Sequence, residues 1–245
     1  MPEHPLYKAR LIRSLELSEQ TKHLEFRVDD QERFDFKAGQ FVSVKERKAD
    51  GREQTRAYSI ASPPRGDRSF DLCLNRVEEG FMSNYLCSLD EGQEIRWHGP
   101  HGLFTLKEPV QDSLFVCTGT GVAPFRSMLH YLFADPARNA GHDFWLIFGT
   151  RYEEDLYYAA EFREMERRYP NFHYIASLSR AKDGWKGARG YVQEHVRRLL
   201  ESVPNRGAGS MHAYICGLFE MVDANRKLLA ELGWDRKSVF YERYD

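Results

Sequence analysis

The hydrophobic period of this sequence changes near residue 110, and that change constrains the fold more than any other feature. Before it, apolar residues alternate with polar ones in short runs, as in Leu24, Phe26 and Val28. Period-two alternation is typical of strands with one buried face, and Gly and Pro clusters such as 62–66 separate the runs. The first part of the chain therefore predicts an antiparallel barrel or sandwich, interrupted by one helix near Met82–Leu89.

Beyond residue 110 the pattern is that of alternating strands and helices. Ser113–Cys117 is a continuous apolar run, suited to a strand buried on both faces, and Val122, Phe125 and Leu129 continue on one helical face. Strand and helix in turn indicate a parallel sheet with right-handed crossovers. Further strands are predicted near Phe144–Phe148, Phe172–Ser177, Ala213–Cys216 and Val239–Tyr241, and helices near Glu154–Arg168, Val192–Leu200 and Phe219–Leu232. A boundary in the polar stretch Lys107–Asp112 predicts two domains, 1–109 and 110–245.

Charge and composition exclude several classes of partner. Lys and Arg total 35 and Asp and Glu total 37, a net charge of −2, which does not favour nucleic acid or an anionic membrane. No apolar run is long enough for a membrane span and the N-terminus has no signal-peptide core, so a cytoplasmic protein is expected. The cysteines show no Cys-x-x-Cys spacing, which argues against zinc and iron–sulfur sites: Cys73, Cys87, Cys117 and Cys216. His98 and His101 lie in a Gly-Pro turn without further ligands nearby, and no metal site is predicted.

A glycine-rich turn joins the first buried strand of the second half to its helix. Gly119-Thr120-Gly121-Val122-Ala123-Pro124 lets the backbone turn tightly, and the helix N-terminus that follows offers N–H groups to an anion. Pro124 suits the first helical turn, where its missing N–H costs nothing. A turn of this kind is often only a turn, but its position at the carboxyl end of a strand favours phosphate binding.

Polar and basic residues also follow the later strands. Arg151 comes after the second strand of this half, Ser179 and Arg180 after the third, and Gly217 after the fourth. In open α/β sheets ligands bind outside the carboxyl ends of strands, and arginine grips phosphate with paired hydrogen bonds. Each arginine alone is more typical of a solvated surface, so it is their grouping that favours a phosphorylated ligand.

Taken together, these segments resemble the ferredoxin–NADP reductase family, including flavodoxin reductases, over nearly the whole chain from Tyr7 to Asp245. The resemblance implies a FAD-binding β-barrel domain followed by an α/β NADP-binding domain. In the family, Arg-x-Tyr-Ser on a barrel strand holds FAD. Here Arg56 would pair with the FAD pyrophosphate, Tyr58 would stack on the flavin, and Ser59 would hydrogen-bond near N5, with Ala57 between them.

Two further segments resemble FAD contacts of the family. Gly80-Phe81-Met82-Ser83 matches the start of the barrel-side helix, whose backbone amides meet the same pyrophosphate. Asn75 and Val77 lie on and after a strand that runs beside the flavin in relatives.

The same resemblance implies an NADP site in the second half. Gly119, Thr120, Gly121 and Pro124 would hold the pyrophosphate and the nicotinamide end. The residues that would bind the 2′-phosphate and the adenine are Ser179, Arg180, Arg189 and Tyr191, of which Tyr191 would stack on the adenine. Arg151 matches a basic position used by some bacterial relatives. No acidic residue that would grip a free 2′-hydroxyl is found at these strand ends, which favours NADP over NAD.

The segment Cys216-Gly217 with Met221 resembles the stretch beside nicotinamide C4, where Cys216 would place the ring sterically. Glu242 and Tyr244 resemble the C-terminal Glu-x-Tyr, whose tyrosine covers one flavin face. Because Asp245 follows here, the identity of the covering residue stays open. Ser59, Cys216 and Glu242 are the candidate catalytic residues, Ser59 and Glu242 for the proton at N5.

The implied activity is that of a ferredoxin/flavodoxin–NADP reductase: hydride transfer between NADP(H) and FAD N5, and single electrons to or from a separate ferredoxin or flavodoxin. A monomer or weak dimer is expected. Two alternatives stay open: a flavin or oxygenase reductase of a sister branch using another acceptor, and a non-catalytic electron-transfer subunit on the same fold.

Overall fold

The computed structural model describes residues 5–203 and 209–244. Contacts divide the chain into two units: one holds the chain up to Leu106 together with Ala123–Ala134, and the other holds Lys107–Val122 and the chain from Asp135 onward. The helix after the glycine-rich turn thus groups with the first unit although it follows the first strand of the second. Grouping by contact and order along the chain give different boundaries, and the ranges 1–109 and 110–245 stay a prediction.

The first unit is a six-stranded antiparallel sheet in the order β4-β3-β6-β1-β2-β5. Its elements are β1 (Tyr7–Ser18), β2 (Thr21–Val28), β3 (Phe41–Arg47), β4 (Glu53–Ser59), β5 (Ser69–Asn75), α1 (Phe81–Cys87) and β6 (Glu94–His101). A bridge between Ile60, which directly follows β4, and Leu72 on β5 joins the two outer strands. The sheet therefore closes on itself, and the predicted antiparallel barrel with one helix is confirmed.

The inside of this barrel is filled by the residues that the period-two alternation marks. Leu24, Phe26 and Val28 are fully buried on β2. Trp97 on β6 is fully buried as well, and its ring lies 5.1 Å from that of Phe70 across the barrel core. Burial of such large side chains is the main source of stability here, at about 25 cal/mol per Å² of apolar surface.

The second unit is a six-stranded parallel sheet in the order β10-β9-β8-β7-β11-β12. Its strands are β7 (Asp112–Thr118), β8 (Phe144–Thr150), β9 (Phe172–Leu178), β10 (Ala188–Arg189), β11 (Met211–Leu218) and β12 (Val239–Tyr244). The helices of the second half are α2 (Val122–Phe133), α3 (Pro136–Asn139), α4 (Ala159–Arg168), α5 (Val192–Ser202) and α6 (Phe219–Glu231). The apolar run of β7 is buried throughout, as expected for a central parallel strand. The α/β class predicted for this half is confirmed.

Two local predictions are wrong. The helix predicted over Glu154–Arg168 begins only at Ala159, because Glu153–Asp155 form a single 3-10 turn and Tyr158 has a left-handed φ of 60°. A non-glycine residue in that conformation ends helical continuity. His98 and His101 belong to strand β6, not to a free turn, and His98 Nδ1 lies 2.6 Å from His101 Nε2.

Candidate functional site

Exposure falls along the segment Arg56–Ser59 of strand β4: Arg56 and Ala57 are exposed, Tyr58 is half-buried and Ser59 is buried. Its pairing with β3 sets Val42 opposite Tyr58, so the Tyr58 ring packs against the barrel core. Burial, with a smaller effect of Cys87, raises the pKa of Tyr58, so its hydroxyl is neutral at physiological pH. Arg56 is exposed, and its Nη1 donates to the Thr55 carbonyl at 3.1 Å, which leaves other guanidinium donors for an anion. Ser59 is buried at 6% exposure.

The turn before α1 is built around one hydroxyl. Ser83 Oγ accepts the Val77 amide N–H at 3.1 Å and donates to the Gly80 carbonyl at 3.1 Å. A Cβ on Gly80 would lie 2.7 Å from Ser83 Oγ, so only glycine fits. Asn84 Nδ2 donates to the same Gly80 carbonyl at 2.8 Å, which holds the start of α1 from a second side.

Other predicted residues of this half lie around that turn. Val77 is 57% exposed, and the first turn of α1 holds no acidic side chain that would compete with a phosphate. Asn75 Oδ1 accepts from Thr21 Oγ1 at 2.9 Å at the end of β5, which fixes the amide there. Phe81 and Met82 open α1, and Met82 is buried in the barrel core.

In the second unit the glycine-rich turn follows β7 as a single 3-10 turn, Gly119–Gly121. Gly119 has a φ of +54°, which favours glycine, and a Cβ there would meet nothing within 4 Å. Gly121 is crowded instead: a Cβ would lie 2.3 Å from the carbonyl oxygen of Cys216. The turn therefore packs directly on the backbone of β11, and its second glycine is required by that approach. Thr120 is partly exposed beside it, and Pro124 lies in the first turn of α2.

Strands β11 and β12 bring Cys216, Glu242 and Tyr244 together. Cys216 pairs with Glu242 in the strand register and is fully buried. Burial, then the charge of Glu242, raises the pKa of the Cys216 thiol, while a hydrogen bond with the Tyr244 side chain acts in the opposite direction. Cys216 is therefore a neutral thiol, which suits a steric role and not that of a nucleophile. Asp245 lies outside the described residues.

Thr118, at the end of β7, carries a polar atom that sequence reasoning missed. Its Oγ1 is buried and has no hydrogen-bond partner, and a Cβ on Gly217 would lie 2.6 Å from it. The Met221 methyl lies equally close to that Gly217 position, at 2.7 Å. A buried hydroxyl without a partner costs free energy unless a ligand supplies one. The residue directly precedes the glycine-rich turn, and that adjacency is the only sequence signal for it.

The ends of β8 and β9 are joined by backbone hydrogen bonds that set the predicted basic residues side by side. Ser179 N–H donates to the Thr150 carbonyl at 2.9 Å, and Arg180 N–H donates to the Arg151 carbonyl at 3.0 Å. Arg180 is exposed, and a hydrogen bond with Tyr152 raises its pKa. The three residues Arg151, Ser179 and Arg180 thus form one polar edge.

Strand β10 adds the remaining predicted residues to this edge, since Arg189 pairs with Leu178 in the register of β9. The Arg189 guanidinium holds its own loop, donating to the carbonyls of Ala181, Lys182 and Trp185 at 3.1–3.2 Å. Tyr191 is 64% exposed, as required of a ring that stacks on a ligand.

These features fit two nucleotide ligands. The barrel unit offers a tight glycine turn, an exposed guanidinium and a half-buried flat ring, which match pyrophosphate and an aromatic ring system. The second unit offers a glycine turn on a strand backbone, an unpartnered buried hydroxyl and a polar edge, which match a dinucleotide. Within residues 5–203 and 209–244 no group of three or more His, Cys, Asp or Glu side chains could hold a metal ion. No helix in that part of the chain is long and apolar enough to span a membrane.

Comparison with known proteins identifies both units. Residues 8–106 match the oxidoreductase FAD-binding domain, and residues 115–227 match the oxidoreductase NAD-binding domain. Ferredoxin–NADP reductase B of Sorangium cellulosum is 44% identical over 243 residues, which cover 98% of each chain. The chain belongs to the ferredoxin–NADP reductase family. It is an FAD-dependent oxidoreductase that uses a nicotinamide dinucleotide.

Other members show how broad the family is. The glycine betaine monooxygenase reductase subunit of Pseudomonas aeruginosa is 33% identical over 223 residues, 89% of this reductase but 59% of that longer protein. A crystal structure of a ferredoxin NADP+ reductase from Neisseria gonorrhoeae with bound FAD and NADP has a TM-score of 0.84 at 21% identity, covering 98% of this reductase and 99% of that chain. At that identity the likeness concerns the fold.

Proposed function

We propose that this reductase transfers a hydride between NADP(H) and FAD and exchanges single electrons with a separate ferredoxin or flavodoxin. The observation that carries the choice of NADP is the polar edge formed by Arg151, Ser179 and Arg180, with Arg189 and Tyr191 next to it on β10. The name and 44% identity of the Sorangium relative support the same choice.

The two cofactors carry the redox chemistry when bound, FAD taking up a hydride and releasing electrons one at a time. The chain's own residues bind and orient. Arg56 and the turn at Gly80 would hold the FAD pyrophosphate, and the Tyr58 ring would stack on the flavin. Ser59 in the first unit and Glu242 in the second are separate candidates that would hold the proton at N5, and the buried Cys216 thiol would set the depth at which the nicotinamide ring rests.

In the second unit, the glycine-rich turn packs closely on the backbone of strand β11. A side chain at Gly121 or Gly217 would collide with Cys216 or Thr118, so the two glycines let the turn and the neighbouring strand ends pack closely. The nicotinamide end would lie over these strand ends. Thr118 Oγ1 is the hydrogen-bonding group that the carboxamide of nicotinamide would satisfy. Orientation of the reacting atoms can lower the barrier by about 7–11 kcal/mol.

The decisive test is anaerobic stopped-flow reduction of the bound flavin by NADPH and by NADH, in wild type and in Arg180→Ala. Loss of one charge-assisted contact to phosphate costs about 1.5–3 kcal/mol, so the apparent affinity for NADPH should fall about 10- to 100-fold while that for NADH is unchanged. Arg167→Ala, an exposed arginine on α4, is the matched control and should behave as wild type. Equal losses with both nucleotides, or none, would contradict the 2′-phosphate assignment.

A second candidate is a reductase for an oxygenase component, and it is favoured by the 33% identity to the monooxygenase reductase subunit. Turnover with ferredoxin, flavodoxin and free FMN, each at several concentrations, separates the two. Saturable, fast reduction of ferredoxin or flavodoxin supports the first proposal. Turnover only with FMN or with an oxygenase component supports the second.

A further inference from the structure

A buried serine–histidine pair lies beneath the segment that carries Arg189 and Tyr191. Ser177 on β9 is fully buried, and His195 on α5 is 6% exposed. Ser177 Oγ and His195 Nε2 are 2.9 Å apart although 18 residues separate them in the chain. None of the motifs that define the cofactor sites includes either residue.

Hydrogen-bond chemistry fixes the direction of every contact in this pair. Ser177 Oγ donates its single proton to the Gly190 carbonyl at 2.8 Å, because a carbonyl can only accept. The contact between Ser177 Oγ and His195 must then be donated by the ring. The Arg189 carbonyl, 3.0 Å from His195 Nε2, can also only accept, so Nε2 carries the proton and serves both oxygens.

This pair binds two backbone carbonyls of a short segment, in addition to the hydrogen bonds that the Arg189 guanidinium makes to its own loop. Strand β10 contains only Ala188 and Arg189, and its pairing with β9 ends there. Gly190 follows with a φ of +100°, and its N–H donates to the Leu178 carbonyl at 3.0 Å. The carbonyls of Arg189 and Gly190 are the next backbone acceptors along the chain, and the serine–histidine pair donates to both of them.

The segment also lies against the start of helix α5. A Cβ on Gly190 would lie 2.9 Å from a Glu194 carboxylate oxygen, so the turn packs against the first turn of α5. His195 lies in the same helix, directly after Glu194. Arg189 and Tyr191 flank Gly190 on either side, and both side chains project from a backbone whose position His195 and Ser177 set.

We propose that His195 and Ser177 are positioning residues for recognition of the adenosine 2′-phosphate end of the dinucleotide. They act through the Arg189 and Gly190 carbonyls and contact no ligand themselves. This inference rests on the proposed NADP specificity and adds two buried residues that determine it. It concerns affinity for the adenylate end and leaves the reacting end of the nucleotide unaffected.

The test compares His195→Leu with His195→Gln, whose side-chain amide can donate from nearly the position of Nε2. The probe is 2′,5′-ADP, with binding measured by titration of the FAD-loaded enzyme, together with KM and the limiting rate of flavin reduction for NADPH. His195→Leu should weaken 2′,5′-ADP about 10-fold and raise the KM for NADPH equally, with the limiting rate unchanged. A tenfold loss is about 1.4 kcal/mol, the size of one hydrogen bond. His195→Gln should restore wild-type values to within about twofold.

Ser177→Ala is the second variant. It removes the contact with His195 and the bond to the Gly190 carbonyl with little change in volume, and it keeps the test valid if His195→Leu folds poorly. It should show the same rise in KM at an unchanged limiting rate. Unchanged affinity in a folded His195→Leu or Ser177→Ala enzyme would overturn the proposal, as would a glutamine variant no better than leucine. Wild-type enzyme that fails to bind 2′,5′-ADP would instead refute the NADP specificity on which the inference rests.

Discussion

Replacing Gly121 by alanine tests how the glycine-rich turn is built. The new Cβ would lie 2.3 Å from the Cys216 carbonyl oxygen and 2.8 Å from its carbonyl carbon. Real Cβ contacts are not closer than 3.0 Å, so the turn and strand β11 must separate by about 0.7 Å. Both opposing atoms are backbone, and no change of rotamer relieves the collision.

This separation predicts two measurable losses. Overpacking of this kind costs about 1–3 kcal/mol, which lowers the melting temperature by about 2–12 °C in a chain of this size. Since a misplacement near 1 Å costs about 100-fold in rate, we expect reduction of bound flavin by NADPH to slow about 10- to 100-fold. Thermal unfolding by circular dichroism and anaerobic stopped-flow spectroscopy measure the two effects, and the FAD content should stay at one per chain.

Gly119→Ala is the matched variant, two residues earlier in the same turn. Its Cβ would meet nothing within 4 Å, and only the φ of +54° is unfavourable, at a cost of about 1–2 kcal/mol. It should therefore lose some stability but much less rate than Gly121→Ala. If both variants slowed flavin reduction equally, or if Gly121→Ala reacted like wild type, the clash with Cys216 would not be what requires glycine.

Three further predictions concern buried charged or titratable groups. Asp71→Asn removes a 1%-exposed carboxylate that binds Arg65 through both oxygens, at 3.1 and 2.8 Å, so unfolding should become easier by about 3 kcal/mol in denaturant titrations. Because burial raises the pKa of Cys216, iodoacetamide at pH 8 should leave this thiol unlabelled in folded protein and label it after unfolding, as mass spectrometry of peptides would show. Burial and the charge of Lys107 lower the pKa of His212 from its ordinary value of about 6.5. The contribution of His212 to stability is therefore complete above about pH 6.5 and declines as the pH falls toward the folded pKa, and His212→Asn should flatten that part of the stability–pH curve relative to wild type.

The two fold classes and the chemistry of the turns follow from local sequence. Period-two alternation before residue 110 and strand–helix alternation after it each depend on neighbouring residues, so they can be recognised without tertiary information. The same holds for Gly119, whose φ of +54° belongs to the turn itself, whereas Gly121 is required by the approach of Cys216, a residue far along the chain. Local patterns failed where backbone geometry overrides propensity, as at Tyr158, whose φ of 60° delays helix α4.

Tertiary structure decided the features that depend on residues far apart in the chain. Arg126 on α2 donates to the Ala61 carbonyl at 3.0 Å and lies 3.7 Å from Asp71, which is why that helix groups with the barrel despite its place in the sequence. The pairing of Ser177 with His195 likewise has no counterpart in any local pattern. Hydrogen bonds of this kind depend on the folded backbone, because donor and acceptor come within 3 Å only after the sheet and its helices have packed.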